Sequence, residues 1–256
     1  MILTTTIGSY PKPSYLKVPD WFQGEKGTDA EYPTQGWEDA IKNLGSDFEN
    51  IVNKATLEVI SDQIECGIDI VTDGEVRREN YIHYHCRFLK GIDFNNLTKK
   101  TARTGNYDCY LPTIVSQVKF DKPFLSNEFK VNQNISSKPM KVTIPGPLTI
   151  TDTIADSYYN DSKKLGVDLS IAINHEIKDL ANAGCRYIQL DEPLFARKTK
   201  EAISFGIENL ERCFHGLPNE IEKIVHICCG YPDKMDAIDY PKAPLNSYND
   251  LSNYLE

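Results

Sequence analysis

No apolar run in these 256 residues approaches the ~20 needed to cross a bilayer, which argues against a membrane-spanning protein. The first residues, Met1-Ile2-Leu3-Thr4-Thr5-Thr6, lack the basic start and apolar core of a signal peptide. The seven cysteines are odd in number and scattered (66, 86, 109, 185, 213, 228 and 229), so they form no compact disulfide framework. Without an export signal they are expected to be reduced thiols in a cytoplasm. Positive charge is also short. Lys and Arg total 28 against 37 Asp and Glu, a net charge of -9, and a nucleic-acid partner would favour a basic face. What is present is the composition of a soluble globular protein, 25% charged and 40% hydrophobic. The length suits one domain over residues 1–256, and an α/β barrel of about 250 residues is an ordinary single domain.

Short apolar and β-branched runs broken by Gly or Pro predict five strands: residues 2–7, 68–72, 140–144, 186–190 and 223–228. Between them, apolar positions spaced by three and four predict a long amphipathic helix over 37–66, closed by Gly67. A second helix runs to Gly184, with Asp161 or Ser162 as its N-cap. Further helices are expected at 199–213 and from 246. Residues 12–37 read as an irregular surface segment. Residues 88–139 contain no clean helix; 107–118 and 120–131 read as extended, a β excursion of no legible function.

Chemistry-bearing side chains fall at the C-terminal end of each predicted strand. Gly8-Ser9 is a turn whose backbone N–H groups could hold a carboxylate or phosphate, or a plain tight turn. Asp73-Gly74-Glu75 and Asp191-Glu192-Pro193 place acids at strand ends, or are solvated turns. Pro145-Gly146-Pro147 ends the third strand. His226 and Cys228, two apart in extended chain, point to one side and could grip zinc; alone, such a pair is more often two small buried residues before a turn at Gly230-Tyr231-Pro232. His83 and His85 form a weaker metal candidate, because they stand beyond the strand end at Glu75.

Polar groups at the ends of all five strands are the pattern of a (β/α)8 barrel of the TIM type, incomplete here at about five of the eight βα units. The missing units, roughly thirty residues each, would leave open sheet edges through which chains could associate. A doubly wound open sheet is the competing architecture, and it does not explain convergence from every strand end.

Five motifs stand in a fixed order: Thr6-Ile7-Gly8-Ser9-Tyr10-Pro11, Asp73-Gly74-Glu75, Ile144-Pro145-Gly146-Pro147-Leu148-Thr149, Gln189-Leu190-Asp191-Glu192-Pro193, and His226 with Cys228. Together they resemble the C-terminal catalytic barrel of cobalamin-independent methionine synthases. They are most similar to the short single-barrel members, which residues 71–94 and 226–233 also resemble. The resemblance spans essentially the whole chain. It implies methyl transfer to the thiol of homocysteine, with His226 and Cys228 as two ligands of one catalytic Zn2+. It implies that Ile7 and Ser9 meet the amino-acid end of homocysteine, and that Glu75 and Asp191 hold its ammonium group. The family's other zinc ligands, a Glu and a Cys, and its catalytic His, are expected beyond residue 256. The chain is therefore expected to be the front of such an enzyme, with little or no turnover alone.

These residue types suit that chemistry. A thiol of pKa about 8.5 is mostly protonated at neutral pH, and zinc would deprotonate it. The methyl donor implied is 5-methyltetrahydrofolate, or a methyl-corrinoid protein as in a barrel without the large N-terminal half. Folate N5 leaves only when protonated, so a general acid is expected, and none is assignable here. Three alternatives stay open. One is zinc-dependent alkyl transfer to another thiol such as coenzyme M. Another is a non-catalytic fragment that pairs its open edges. The third, a barrel hydrolase using His83 and His85, is remote.

Overall fold

The computed structural model describes residues 2–20, 33–102, 107–230 and 242–255. In chain order the elements are α1 (Pro33–Leu44), α2 (Phe48–Glu65), α3 (Tyr81–Cys86), β1 (Leu89–Ala102), β2 (Tyr107–Phe120), α4 (Leu125–Ile135), β3 (Lys141–Pro145), α5 (Pro147–Thr153) and β4 (Ala155–Asp156). They continue with α6 (Ser162–Asn182), β5 (Tyr187–Asp191), α7 (Leu194–Arg197), α8 (Thr199–Glu201), a π-helical turn (Ala202–Gly206), α9 (Ile207–Cys213), β6 (Glu222–His226) and α10 (Asn246–Ser252).

Five extended stretches lie side by side in parallel, in the order of the sequence. Thr5 bridges Ile70, and Val71 bridges Met140 at the head of β3. From there β3 pairs with β5 and β5 with β6. The order has no reversal, which removes the doubly wound alternative: that topology needs a switch point within the sheet. The first two predicted strands are narrower than expected, each held by isolated bridges.

Within β3 and β5 the side chains alternate. Val142, Ile144, Ile188 and Leu190 belong to the main core with Leu165, Leu169, Ile173 and Ile177 of α6. Their neighbours Lys141, Thr143, Gln189 and Asp191 are buried too, on the opposite face. Asp161 caps α6, accepting from the N–H groups of Lys163 and Lys164.

Three expectations are corrected. The single helix over 37–66 is two, because Gly45 takes a φ of 52° between α1 and α2. The segment 12–37 is not simply surface: Leu16 and Val18 pack with Ala40, Val52 and Val59, while residues 21–32 lie outside the described residues. Residues 120–131 are not one extended stretch, because α4 begins at Leu125. Leu125, Phe129 and Asn132 are buried along one helical face, and Glu176 of α6 accepts from the N–H groups of Phe124 and Leu125 at 3.1 and 2.8 Å. That carboxylate acts as a cap from another element, so no local signal marks the helix start. The β excursion itself is the antiparallel hairpin of β1 and β2, which pair from Leu89↔Phe120 to Ala102↔Tyr107. Its residues 103–106 lie outside the described residues.

Two buried carboxyls set a pH dependence. Burial pushes Glu176 up to about 7 and Glu192 up to about 8, outweighing the hydrogen bonds each accepts. Both folded values lie above the unfolded carboxyl value, so the folded chain binds more protons between them. The stabilisation is complete below the unfolded value and is lost as pH rises through about 7 to 8. From these two groups, urea unfolding is therefore expected to give a free energy about 5 kcal/mol higher near pH 5.5 than near pH 8. A flat profile over that window would show that both groups are already ionised at the lower pH.

Candidate functional site

At the C-terminal ends of the five parallel stretches lies a cavity of about 300 Å³. Ile7, Ser9, Glu75, Asp191, His226 and Cys228 all line it, with Gly8, Lys12, Arg78, Glu79, Asn80, Tyr81 and Pro193. The four candidate substrate contacts and the candidate ligand pair His226 and Cys228 thus border one space, whereas the weaker metal candidates His83 and His85 do not.

Glu75 is held by backbone geometry that its sequence does not advertise. Its φ is 55°, a left-handed conformation that costs a residue with a Cβ roughly 1 kcal/mol or more. The turn is fixed on both sides: Tyr10 N–H donates to the Gly74 carbonyl at 2.9 Å, and Arg78 N–H to the Glu75 carbonyl at 2.9 Å. Gly74 has a φ of 65°, and a Cβ there would stand 2.5 Å from Val59 Cγ1. Only glycine fits, which lets the turn bring the Glu75 carboxyl inward. There Thr143 Oγ1 donates to Oε1 at 2.7 Å, and the Arg78 guanidinium lies 3.5 Å from the same oxygen. Burial and the nearby Asp191 charge raise the carboxyl's pKa, and Arg78 opposes them.

Asp191 closes β5. Its Oδ1 accepts from Gln189 Nε2 at 2.7 Å and lies 3.0 Å from His226 Nδ1. His226 is pushed up to about 9, first by that carboxylate and then by the hydrogen bond to Cys228. The imidazole in turn lowers the Cys228 thiol, and Gly230 N–H lies 3.4 Å from its sulfur. Cys229 does not line the cavity; its sulfur lies 3.9 Å from the Gly230 carbonyl that Cys228 also meets, and its own carbonyl accepts from Ala243 N–H. The turn expected at Gly230-Tyr231-Pro232 falls, from Tyr231 on, outside the described residues.

Ile7 and Ser9 lie on the exposed rim, and the Ile7 carbonyl accepts from Gln189 Nε2 at 2.8 Å. His83 and His85 do not join the cavity lining. Both are buried in α3, where burial lowers them to about 4 and about 3, and two residues apart on a helix they face different ways. Among the described residues no group of three or more His, Cys, Asp or Glu side chains is placed to hold a metal.

Sequence reasoning missed the supports: Thr143, Arg78, Lys141, Gln189 and Glu192. A signal was present for some of them. Strands buried on both faces usually read as continuous apolar runs, whereas β3 and β5 alternate polar and apolar.

The profile of the cobalamin-independent synthase catalytic domain matches residues 2–209. The chain belongs to the cobalamin-independent methionine synthase family. A methionine synthase of Saccharolobus solfataricus is 33% identical over 231 residues, which are 90% of this chain and 63% of that protein. One from Sulfolobus acidocaldarius is 30% identical over 254 residues, 96% of this chain and 68% of that protein. The B12-independent methionine synthase of Shewanella sp. W3-18-1, solved with selenomethionine, superposes with a TM-score of 0.74 at 33% identity. That match covers 89% of this chain and 62% of the Shewanella chain. The chain thus spans about two thirds of the length of these family members.

Proposed function

We propose that this chain binds homocysteine and takes part in zinc-dependent transfer of a methyl group to its thiol. The observation that carries the reading is convergence: two buried carboxylates, Glu75 and Asp191, share one cavity with an imidazole–thiol pair, His226 and Cys228. Family membership supports the reaction class. The five parallel strands are read as an arc of a (β/α)8 barrel, whose chemistry gathers at strand C-terminal ends.

Each carboxylate has one oxygen tied to the protein frame: Glu75 Oε1 to Thr143 and Arg78, Asp191 Oδ1 to Gln189 and His226. The second oxygen of each remains to accept an ammonium group, which also relieves the repulsion between the two charges. Ser9 and the Gly8-Ser9 backbone sit on the rim beside them, where an amino-acid carboxylate would lie. A thiol substrate without an ammonium group, such as coenzyme M, would leave the two buried charges facing each other. That weighs against the other-thiol alternative.

His226 and Cys228 fit two corners of a tetrahedral zinc site, and Asp191 supports the His226 ring as outer partners of a ligand histidine do. Zinc bound there supplies acidity that makes a thiol ionise at neutral pH. The methyl donor is read as a methyltetrahydrofolate or a methyl-corrinoid protein.

The test is elemental analysis of the purified chain beside its Cys228→Ser variant. Bound zinc is expected in the parent, with most of it lost in the variant. Zinc retained in full by the variant would show that the metal lies elsewhere, and none in the parent would remove zinc from the reading of this chain.

A further inference from the structure

Lys141 is 2% exposed, deep on the polar face of β3. Its Nζ donates to the Thr6 carbonyl and to Gln189 Oε1, both at 2.6 Å. An ammonium group only donates, so it admits one orientation of the Gln189 amide. With Oε1 turned to Lys141, the Gln189 NH2 group faces two acceptors, Asp191 Oδ1 at 2.7 Å and the Ile7 carbonyl at 2.8 Å. Asp191 then meets His226 at 3.0 Å. The result is an unbroken hydrogen-bonded chain from a buried cation to the imidazole, with two side branches onto the first extended stretch. The positive charge also lies close enough to Asp191 and Glu75 to interact with both.

We propose that Lys141 and Gln189 are positioning residues of this site: the Lys141 ammonium holds the Thr6 carbonyl and fixes the Gln189 amide, which in turn holds the Asp191 carboxylate and the Ile7 carbonyl in the arrangement that receives an amino acid. Neither residue lines the cavity. They act through Asp191, Ile7 and the Gly8-Ser9 turn. The inference rests on the reading of the cavity as an amino-acid site for its ligand, but the clamp on residues 6 and 7 stands apart from that reading.

The experiment uses Lys141→Met and Gln189→Glu in the full chain, with two readouts. Lys141→Met keeps the length and removes the charge. Gln189→Glu keeps the contact to Lys141 and turns both donors into an acceptor. The first readout is amide hydrogen exchange at Tyr10, whose N–H is held by the Gly74 carbonyl; it needs no ligand. Exchange about tenfold faster is expected in both variants, while the amides of α6 stay as protected as in the parent. The second is calorimetric binding of L-methionine, with affinity expected to fall about tenfold or more.

Faster exchange with weaker binding supports the proposal. Exchange and affinity both unchanged in folded variants would overturn it. A parent chain that fails to bind L-methionine, yet shows the exchange effect, would sink the amino-acid reading and leave the clamp standing. Should Lys141→Met lose protection throughout α6, Gln189→Glu alone decides.

Discussion

Glu192→Ala is expected to destabilise the fold by about 4 kcal/mol, more than any other single change at this end of the sheet. The side chain is fully buried. Its carboxyl oxygens accept from Leu148 N–H at 2.9 Å, Thr149 N–H at 3.0 Å and Thr149 Oγ1 at 2.7 Å. Truncation strands three buried donors, at about 1–3 kcal/mol for each left unsatisfied, and opens a cavity that the neighbours fill only in part. Pro145-Gly146-Pro147-Leu148-Thr149 is thereby explained as a cradle for a carboxyl group of this chain. Gly146 is the tightest point of that cradle, where a Cβ would stand 2.2 Å from Glu192 Cδ. Gly146 has a φ of -77°, which alanine adopts freely, so Gly146→Ala acts through the clash alone and should cost about 3 kcal/mol. The two changes should not add. In the Glu192→Ala background most of the Gly146→Ala cost disappears, because the atoms it strikes are gone. Urea unfolding of the four proteins measures this. Equal costs of Gly146→Ala in both backgrounds would mean that the carboxylate is not pinned against residue 146.

Glu75→Gln and Asp191→Asn should each weaken binding of L-methionine about 100-fold with little loss of stability. Each amide keeps the shape and one carbonyl oxygen for the frame, Thr143 and Arg78 on one side, Gln189 and His226 on the other. What each removes is a charge facing the cavity. The diagnostic comparison is with 4-(methylthio)butanoate, which lacks the ammonium group. The parent should discriminate strongly between the two ligands, and each variant should lose most of that discrimination. Calorimetry with both ligands measures it. Variants that bind both ligands more weakly by the same factor would show that the carboxylates shape the cavity without holding the ammonium group.

Much of this arrangement is legible in the sequence because the signals involved are local. Period-two and apolar runs stopped by Gly or Pro mark the strands. An acid, a His or a Cys just past the last apolar residue marks the chemistry, since side-chain direction in a strand follows from position alone. Helix ends at Gly67 and Gly184 and the cap at Asp161 are local for the same reason. At Gly45 the apolar spacing of three and four continues through a residue whose backbone is left-handed, so periodicity does not mark that break.

The sequence by itself, then, located the five parallel stretches and, through the family resemblance, the six residues that line the cavity. The tertiary structure decided how those side chains are held. Lys141 meets a carbonyl 135 residues earlier, Gln189 reaches one 182 residues earlier, and α4 starts where a carboxylate 51 residues later accepts its first N–H groups. The physical reason is the difference between burial and hydrogen-bond satisfaction. Periodicity tells which face of an element is buried, because each residue's direction depends on its own backbone. A buried polar group must find a partner, and that partner stands wherever packing brings a donor or acceptor within about 3 Å, at no fixed separation along the chain.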